Sequence, residues 1–306
     1  MKEREIKDIS ASVRARLFNI AKQTGREFDA VVLQYLQERF LYRVSASSFK
    51  DNFVLKGALL LLTLDISTFR PTKDIDMLGI KIPGSVENIK KIMQQIAGVE
   101  CNDGIHFNRA AIEAEKIKEG AEYEGVRVKI ETTLGKIRRR LQLDIGFNDV
   151  MAVGPTDGKF PVLLDFPIPR IKFYSFESVI AEKFEAIVKL DYQTSRMKDF
   201  YDIHFLTGVS SFEMKKLKKA ILATFKHRGT DVEKRRVVFA DEYKSDPTKK
   251  VQWEAFLRKN GLEAAGSFNE SVGKIEQFLE PIFTCETLED VDYTWIKESW
   301  TPGIMK

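Results

Sequence analysis

Two aspartates stand two residues apart in an otherwise apolar stretch: Asp74 and Asp76, in Arg-Pro-Thr-Lys-Asp-Ile-Asp-Met-Leu at 70–78. In an extended chain alternate residues share a face, so the pair projects one way while Ile75 and Met77 turn to the core. Asp144, in Leu-Gln-Leu-Asp-Ile-Gly-Phe at 141–147, lies by the same alternation on the polar side of its own strand. If the two strands are neighbours, three carboxylates meet on one patch. A divalent cation relieves their repulsion and prefers such oxygen donors, so magnesium, or manganese in its place, is the expected occupant. The plain alternative is a solvated edge strand carrying two surface acids.

Three features weigh against that alternative. Lys56-Gly57-Ala58 sits where a short strand turns into a helix, a place where backbone N–H groups and a missing Cβ suit a phosphate. Arg70 and Lys73 immediately precede the acidic pair, as counter-charges fitted to a triphosphate. Further on, charges occupy apolar arcs. At about 100° per residue, Lys183 falls near 40° from Val179, inside the arc that runs to Phe184 near 140°. Glu182, Glu185 and Lys189 fall on the opposite side of that helix. In Arg-Met-Lys-Asp-Phe-Tyr-Asp-Ile-His-Phe-Leu (196–206), Asp199 lies between Ile203 and Leu206, and Asp202 about 60° further round. A lysine rarely turns inward without a partner, so a buried Lys183–Asp199 pair, a role at a phosphate or acceptor hydroxyl, or both are expected.

The elements that must position these groups are legible in outline. Val13, Leu17, Ile20 and Ala21 repeat at helical spacing up to a stop at Gly25, and Phe28, Val31, Val32, Tyr35, Leu36 and Phe40 repeat it again. Residues 52–57 read as a strand running into a glycine, followed by a buried helix over 58–65. Strict alternation in 126–131 and 141–147 predicts two half-buried strands, antiparallel neighbours. Turn-rich segments at 154–161 and 165–170 suggest a boundary near residue 170, beyond which the pattern is almost entirely helical. The expected fold class is α+β, with a sheet lobe over 1–170 and a helical lobe over 171–306.

Composition narrows the class. Cys101 and Cys285 show no metal or disulfide spacing, and His106, His204 and His227 sit in no ligand-like pattern. The longest apolar run, 58–62, is far short of the roughly 20 residues of a membrane span, and the charged N-terminus is not a signal peptide. A cytoplasmic protein without membrane contact is expected. Net charge is +4, but residues 213–260 hold fourteen Lys/Arg against seven Asp/Glu. That excess hints at an anionic partner. Trp253 with Phe256, and Phe278 with Ile282, are read as helical core.

In order along the chain, the stretches 53–62, 69–77, 141–147, 177–188 and 195–203 resemble the motifs of the AbiEii/AbiGii toxin family, within the polymerase-beta-like nucleotidyltransferase superfamily. The resemblance covers roughly 10–210. It implies a mixed or antiparallel sheet with flanking helices, a helical C-terminal lobe, and a nucleoside triphosphate in the cleft between them. By the same resemblance Asp74 and Asp76 match the metal-binding pair and Asp144 the third carboxylate. Lys183 is expected near the triphosphate, Asp199 at the acidic position of the last motif, and Lys56, Gly57, Ala58, Arg70 and Lys73 around the nucleotide. The family's first motif commonly carries a hydroxyl after its glycine; Ala58 lacks one, which rules out self-modification there.

The expected activity is metal-dependent transfer of a nucleotidyl group from a nucleoside triphosphate to an acceptor hydroxyl, with release of pyrophosphate. The acceptor is expected to be transfer RNA or another RNA, and the protein the toxin of a pair with a cognate antitoxin. The alternatives are transfer to a protein or a small molecule, and an inactive binder of nucleotide or nucleic acid.

Overall fold

The computed structural model describes residues 8–64, 72–117, 125–262, 266–284 and 292–302, and the chain divides into two units. Arg70 and Cys285 lie outside the described residues. The first unit comprises 1–149 and 155–173; the second comprises 150–154 and 174–306.

Two helices open the first unit, α1 (Ile9–Thr24) and α2 (Phe28–Ala46). Asp8 caps α1 by accepting from the Ala11 N–H at 2.9 Å, and Gly25 closes it at φ 68°. There follow β1 (Phe53–Lys56), α3 (Gly57–Leu60), β2 (Asp74–Gly79), α4 (Val86–Ala97), β3 (Ile105–Phe107), β4 (Glu113–Lys116), β5 (Gly125–Leu134), β6 (Ile137–Gly146), β7 (Thr156–Lys159) and β8 (Arg170–Phe173). The helix expected over 58–65 is a single α turn followed by a 3₁₀ turn at Leu61–Leu64.

The strands form one mixed sheet in the order β3-β5-β6-β2-β1-β8-β7, with β4 also paired to β5. β5 and β6 are antiparallel, β2 and β6 parallel, β1 and β2 antiparallel, and β1 and β8 parallel. One face is apolar: Leu55, Ile75, Met77, Val126, Val128, Leu143 and Ile145 are all buried. α2 packs on β6 and β8 and buries Val31, Val32, Tyr35, Leu36 and Phe40. Each such side chain contributes about 1.5–3 kcal/mol by leaving water.

α2 also carries a buried ionic node. Arg43 grips Asp103 with two N–H groups at 2.7 and 3.1 Å, and Arg39 Nε adds a third contact at 3.1 Å. Burial would raise the Asp103 carboxyl, but the Arg43 fork outweighs it and holds the group below its ordinary range. The node ties α2 to the turn that enters β3.

In the second unit the elements are α5 (Phe176–Leu190), α6 (Met197–Val209), β9 (Phe212–Glu213), α7 (Met214–His227), α8 (Arg235–Phe239), α9 (Asp241–Lys244), α10 (Pro247–Asn260), α11 (Phe268–Leu279), α12 (Pro281–Thr284), β10 (Tyr293–Ile296) and β11 (Ser299–Pro302). α5 packs against α6 and α7. Trp253, Phe278 and Ile282 are core, as their spacing predicts. The unit is not all helix: β11-β10-β9 make a small antiparallel sheet, and Trp295 and Trp300 of its hairpin pack on Phe278. The α+β class holds. No helix among the described residues is long and apolar enough to cross a membrane.

Candidate active site

The polar face of the sheet carries the residues singled out by their types. Parallel pairing sets Asp76 opposite Asp144 and Asp74 opposite Gln142. Antiparallel pairing sets Lys56 opposite Asp76 on one side, and Arg127 opposite Asp144 on the other. Register partners share a face, so Lys56, Asp76, Asp144 and Arg127 form a transverse row, one residue from each of β1, β2, β6 and β5. Neighbouring strands are about 4.8 Å apart, which puts the two carboxylates side by side between two cations.

Gly57 belongs to this row for a steric reason. Its φ is +69°, and an ideal Cβ there would lie 2.1 Å from Asp76 Oδ2. A side chain would strain the backbone and displace the carboxylate. The glycine thus leaves room for Asp76 itself. Ala58 is buried, and α3 is only four residues long. Lys73 is exposed next to Asp74.

The cations are engaged. Arg127 forks onto Asp144, Nε to Oδ1 at 2.8 Å and Nη2 to Oδ2 at 2.7 Å, with 32% and 18% of the two side chains exposed. Lys56 Nζ lies 2.5 Å from Asp149 Oδ2. Sequence reasoning passed over Arg127 and Asp149. Arg127 was accessible through the hairpin: a turn at Gly135-Lys136 pairs Leu134 with Ile137 and hence Arg127 with Asp144. Asp149 follows the strand in a loop, where no periodicity marks it.

These residues fit a hard dication in donor type: Asp74, Asp76, Asp144 and Asp149 all offer carboxylate oxygens. Among the described residues no three carboxylates converge at metal-holding distance.

Lys183 and Asp199 lie in the second unit. Lys183 Nζ is 3.1 Å from Asp199 Oδ1 and 2.6 Å from Asp202 Oδ2, with the lysine side chain 12% exposed and the aspartates 1% and 0%. Arg196 Nε adds 2.6 Å to Asp199 Oδ2. Burial pushes the Asp199 carboxyl up, but Lys183 and Arg196 outweigh it and hold it below its ordinary range. Asp202 joins the pair as a third member.

Glu185, read as outward, is buried: Arg228 Nη1 donates to it at 2.8 Å and Thr230 Oγ1 at 2.5 Å, both from the end of α7. Arg228, counted towards the basic excess, is therefore internally paired. So is Arg235, buried against Glu280 and Glu233. His204 Nδ1 is 3.1 Å from Ser271 Oγ, while His106 and His227 are exposed.

No curated protein matches the chain. Among solved structures it is similar to JHP933 from Helicobacter pylori, at 17% identity over 86% of this chain and 98% of that one, with a TM-score of 0.49. A second H. pylori structure, solved as a candidate nucleotidyltransferase, is 17% identical over 81% of this chain and 97% of that one, with a TM-score of 0.47. Residues 39–274 match the sequence profile described as nucleotidyl transferase AbiEii toxin, type IV toxin–antitoxin system. That match takes in well over half of the sequence, and the chain belongs to the AbiEii nucleotidyl transferase toxin family.

Proposed function

We propose that the chain transfers a nucleoside monophosphate from a nucleoside triphosphate to an acceptor hydroxyl, with transfer RNA the acceptor, and that a cognate antitoxin restrains it. The observation that carries this reading is the register of β2 against β6, with Asp76 beside Asp144 and Asp74 on the same face. In the reaction the acceptor oxygen attacks the α-phosphorus, the bond from that phosphorus to the bridging oxygen of the β-phosphate breaks, pyrophosphate leaves, and the hydroxyl proton passes to solvent.

Asp74, Asp76 and Asp144 are the residues that would hold magnesium, which supplies charge stabilisation for attacking and departing oxygens when bound. The chain's own part is positional. Two strands in fixed register hold the carboxylates on one face, and Gly57 gives Asp76 its space. Lys183 is assigned to the triphosphate and Asp199 to keeping that lysine oriented, on the family motif and the Lys183–Asp199 ion pair. Lys56 and Lys73 are the further cations proposed for the nucleotide, and Arg70 is proposed with them from its place in the sequence.

RNA as acceptor is supported by exposed Lys215, Lys216, Lys219, Lys226, Lys234 and Arg236 on and after α7. Incubation of the protein with each α-labelled triphosphate, magnesium, total cellular RNA and total protein tests the reading. Label in the transfer RNA fraction, lost with Asp76→Asn, is the expected result. Label only in protein or in small molecules would move the acceptor; no label with any triphosphate would end the enzymatic reading.

A further inference from the structure

Arg127 lies within the polar row yet has no part in the family's motifs as read above. Its guanidinium takes both oxygens of Asp144, while Gln142 Nε2 touches the same carboxylate at 3.4 Å. The fork uses one lone pair of each Asp144 oxygen and sets a guanidinium charge beside both, so it competes with a cation for that carboxylate. The pair is part-exposed, so it adds little to stability, unlike the buried Arg43–Asp103 pair. On its other flank Arg127 is the register partner of Glu115, whose side chain is 58% exposed. That carboxylate is taken by Lys129 Nζ at 2.7 Å, so a guanidinium leaving Asp144 turns to solvent.

The geometry points to Arg127 as a counter-ion that competes with a dication for Asp144, through the fork it makes on both oxygens of that carboxylate. Arg127 is thus a positioning residue that sets how much metal the site needs. This inference rests on the nucleotidyl-transfer reading for its metal, and the test separates the two.

Mn2+ binding to the full chain without nucleotide, followed by the free-ion electron paramagnetic resonance signal, is the measurement. R127Q removes the fork and the charge, and Mn2+ affinity is expected to rise roughly tenfold, a partly exposed ion pair being worth about one decade at most. R127K keeps the charge without the fork and is expected to fall between R127Q and wild type. With D144N in the background the gain from R127Q should vanish, because no carboxylate remains for the guanidinium and the ion to compete for. Equal melting temperatures of the Arg127 variants and wild type are expected from the part-exposed pair.

Unchanged or weaker Mn2+ binding in R127Q, while D76N abolishes binding, would overturn the role of Arg127 and leave the nucleotidyl-transfer reading standing. Mn2+ binding that D76N leaves intact would place the ion elsewhere and overturn both. No binding by any variant would likewise overturn both, since opening Asp144 would then have produced no site.

Discussion

The first unit holds two ionic arrangements built from the same residue types, and they differ in what they can release. In the node on α2, Asp103 is fully buried and taken by Arg43 and Arg39, with its remaining acceptor capacity used by the Ile105 N–H at 3.2 Å. In the row on the sheet face, Asp76 and Asp144 stand beside each other, and the Arg127–Asp144 fork is open to water. A buried carboxylate gripped by two arginines cannot exchange partners without stranding charges in the core. A half-open one can. The difference turns on burial, since both arrangements are close and well formed.

The sharpest break between the two is functional. Asp76→Asn is expected to lower kcat/KM for labelled transfer by more than roughly 1,000-fold, as for residues that act as a unit, with little change in melting temperature. Persistent transfer would strip the row of its chemical role. The mirror experiment is Arg43→Ala, which leaves Asp103 buried with one of its partners gone. Chemical denaturation should show a loss of about 3–5 kcal/mol, with transfer intact in the protein that stays folded. A mild stability loss with abolished transfer would reverse the assignment of the two sites.

Lys183 sharpens the comparison because it shares features of both, with buried aspartates on one side and some exposure of its own. Lys183→Ala is expected to raise the triphosphate KM roughly tenfold while Mn2+ affinity holds, one lost charge-assisted contact being worth about that much. Normal KM and kcat would assign it to the structural class with Asp103.

A pH-dependent effect is expected at Glu38, also on α2. Burial pushes its carboxyl up to about 8 against an ordinary 4.5, opposed first by the Leu163 N–H and then by Arg39. The folded state thus keeps a proton that the unfolded chain gives up, so this contribution is complete below about 4.5 and is lost as pH rises through about 8. Glu38→Gln should flatten the fall in stability between about pH 4.5 and 8, at most about 1.4 kcal/mol per pH unit. Thermal melts across that range check it; an unchanged slope would assign the pH dependence to other groups.

How much of this was legible in the sequence follows from which interactions are local. Alternation in 126–131 and 141–147 predicted β5 and β6, and Gly25 marked the end of α1, because each depends on neighbours a few residues apart. The Asp76–Asp144 register joins strands far apart in sequence and needed the fold. Angular placement brought Lys183 inward but sent Glu185 outward; a helical wheel gives an angle and cannot say that Arg228 will cover it. The β9–β11 sheet escaped because β9 is two residues long and pairs with Thr294 and Trp295, some eighty positions on. Asp103, central to the α2 node, sits in a turn where no pattern announces burial.

The polar row on the sheet is the proposed metal and nucleotide centre. A crystal grown with Mn2+ and a non-hydrolysable triphosphate tests it most directly through the anomalous signal of the ion. A peak against Asp74, Asp76 and Asp144 with the Arg127 guanidinium off Asp144 is the expected result. A peak elsewhere, with the Arg127–Asp144 fork still closed, would contradict it.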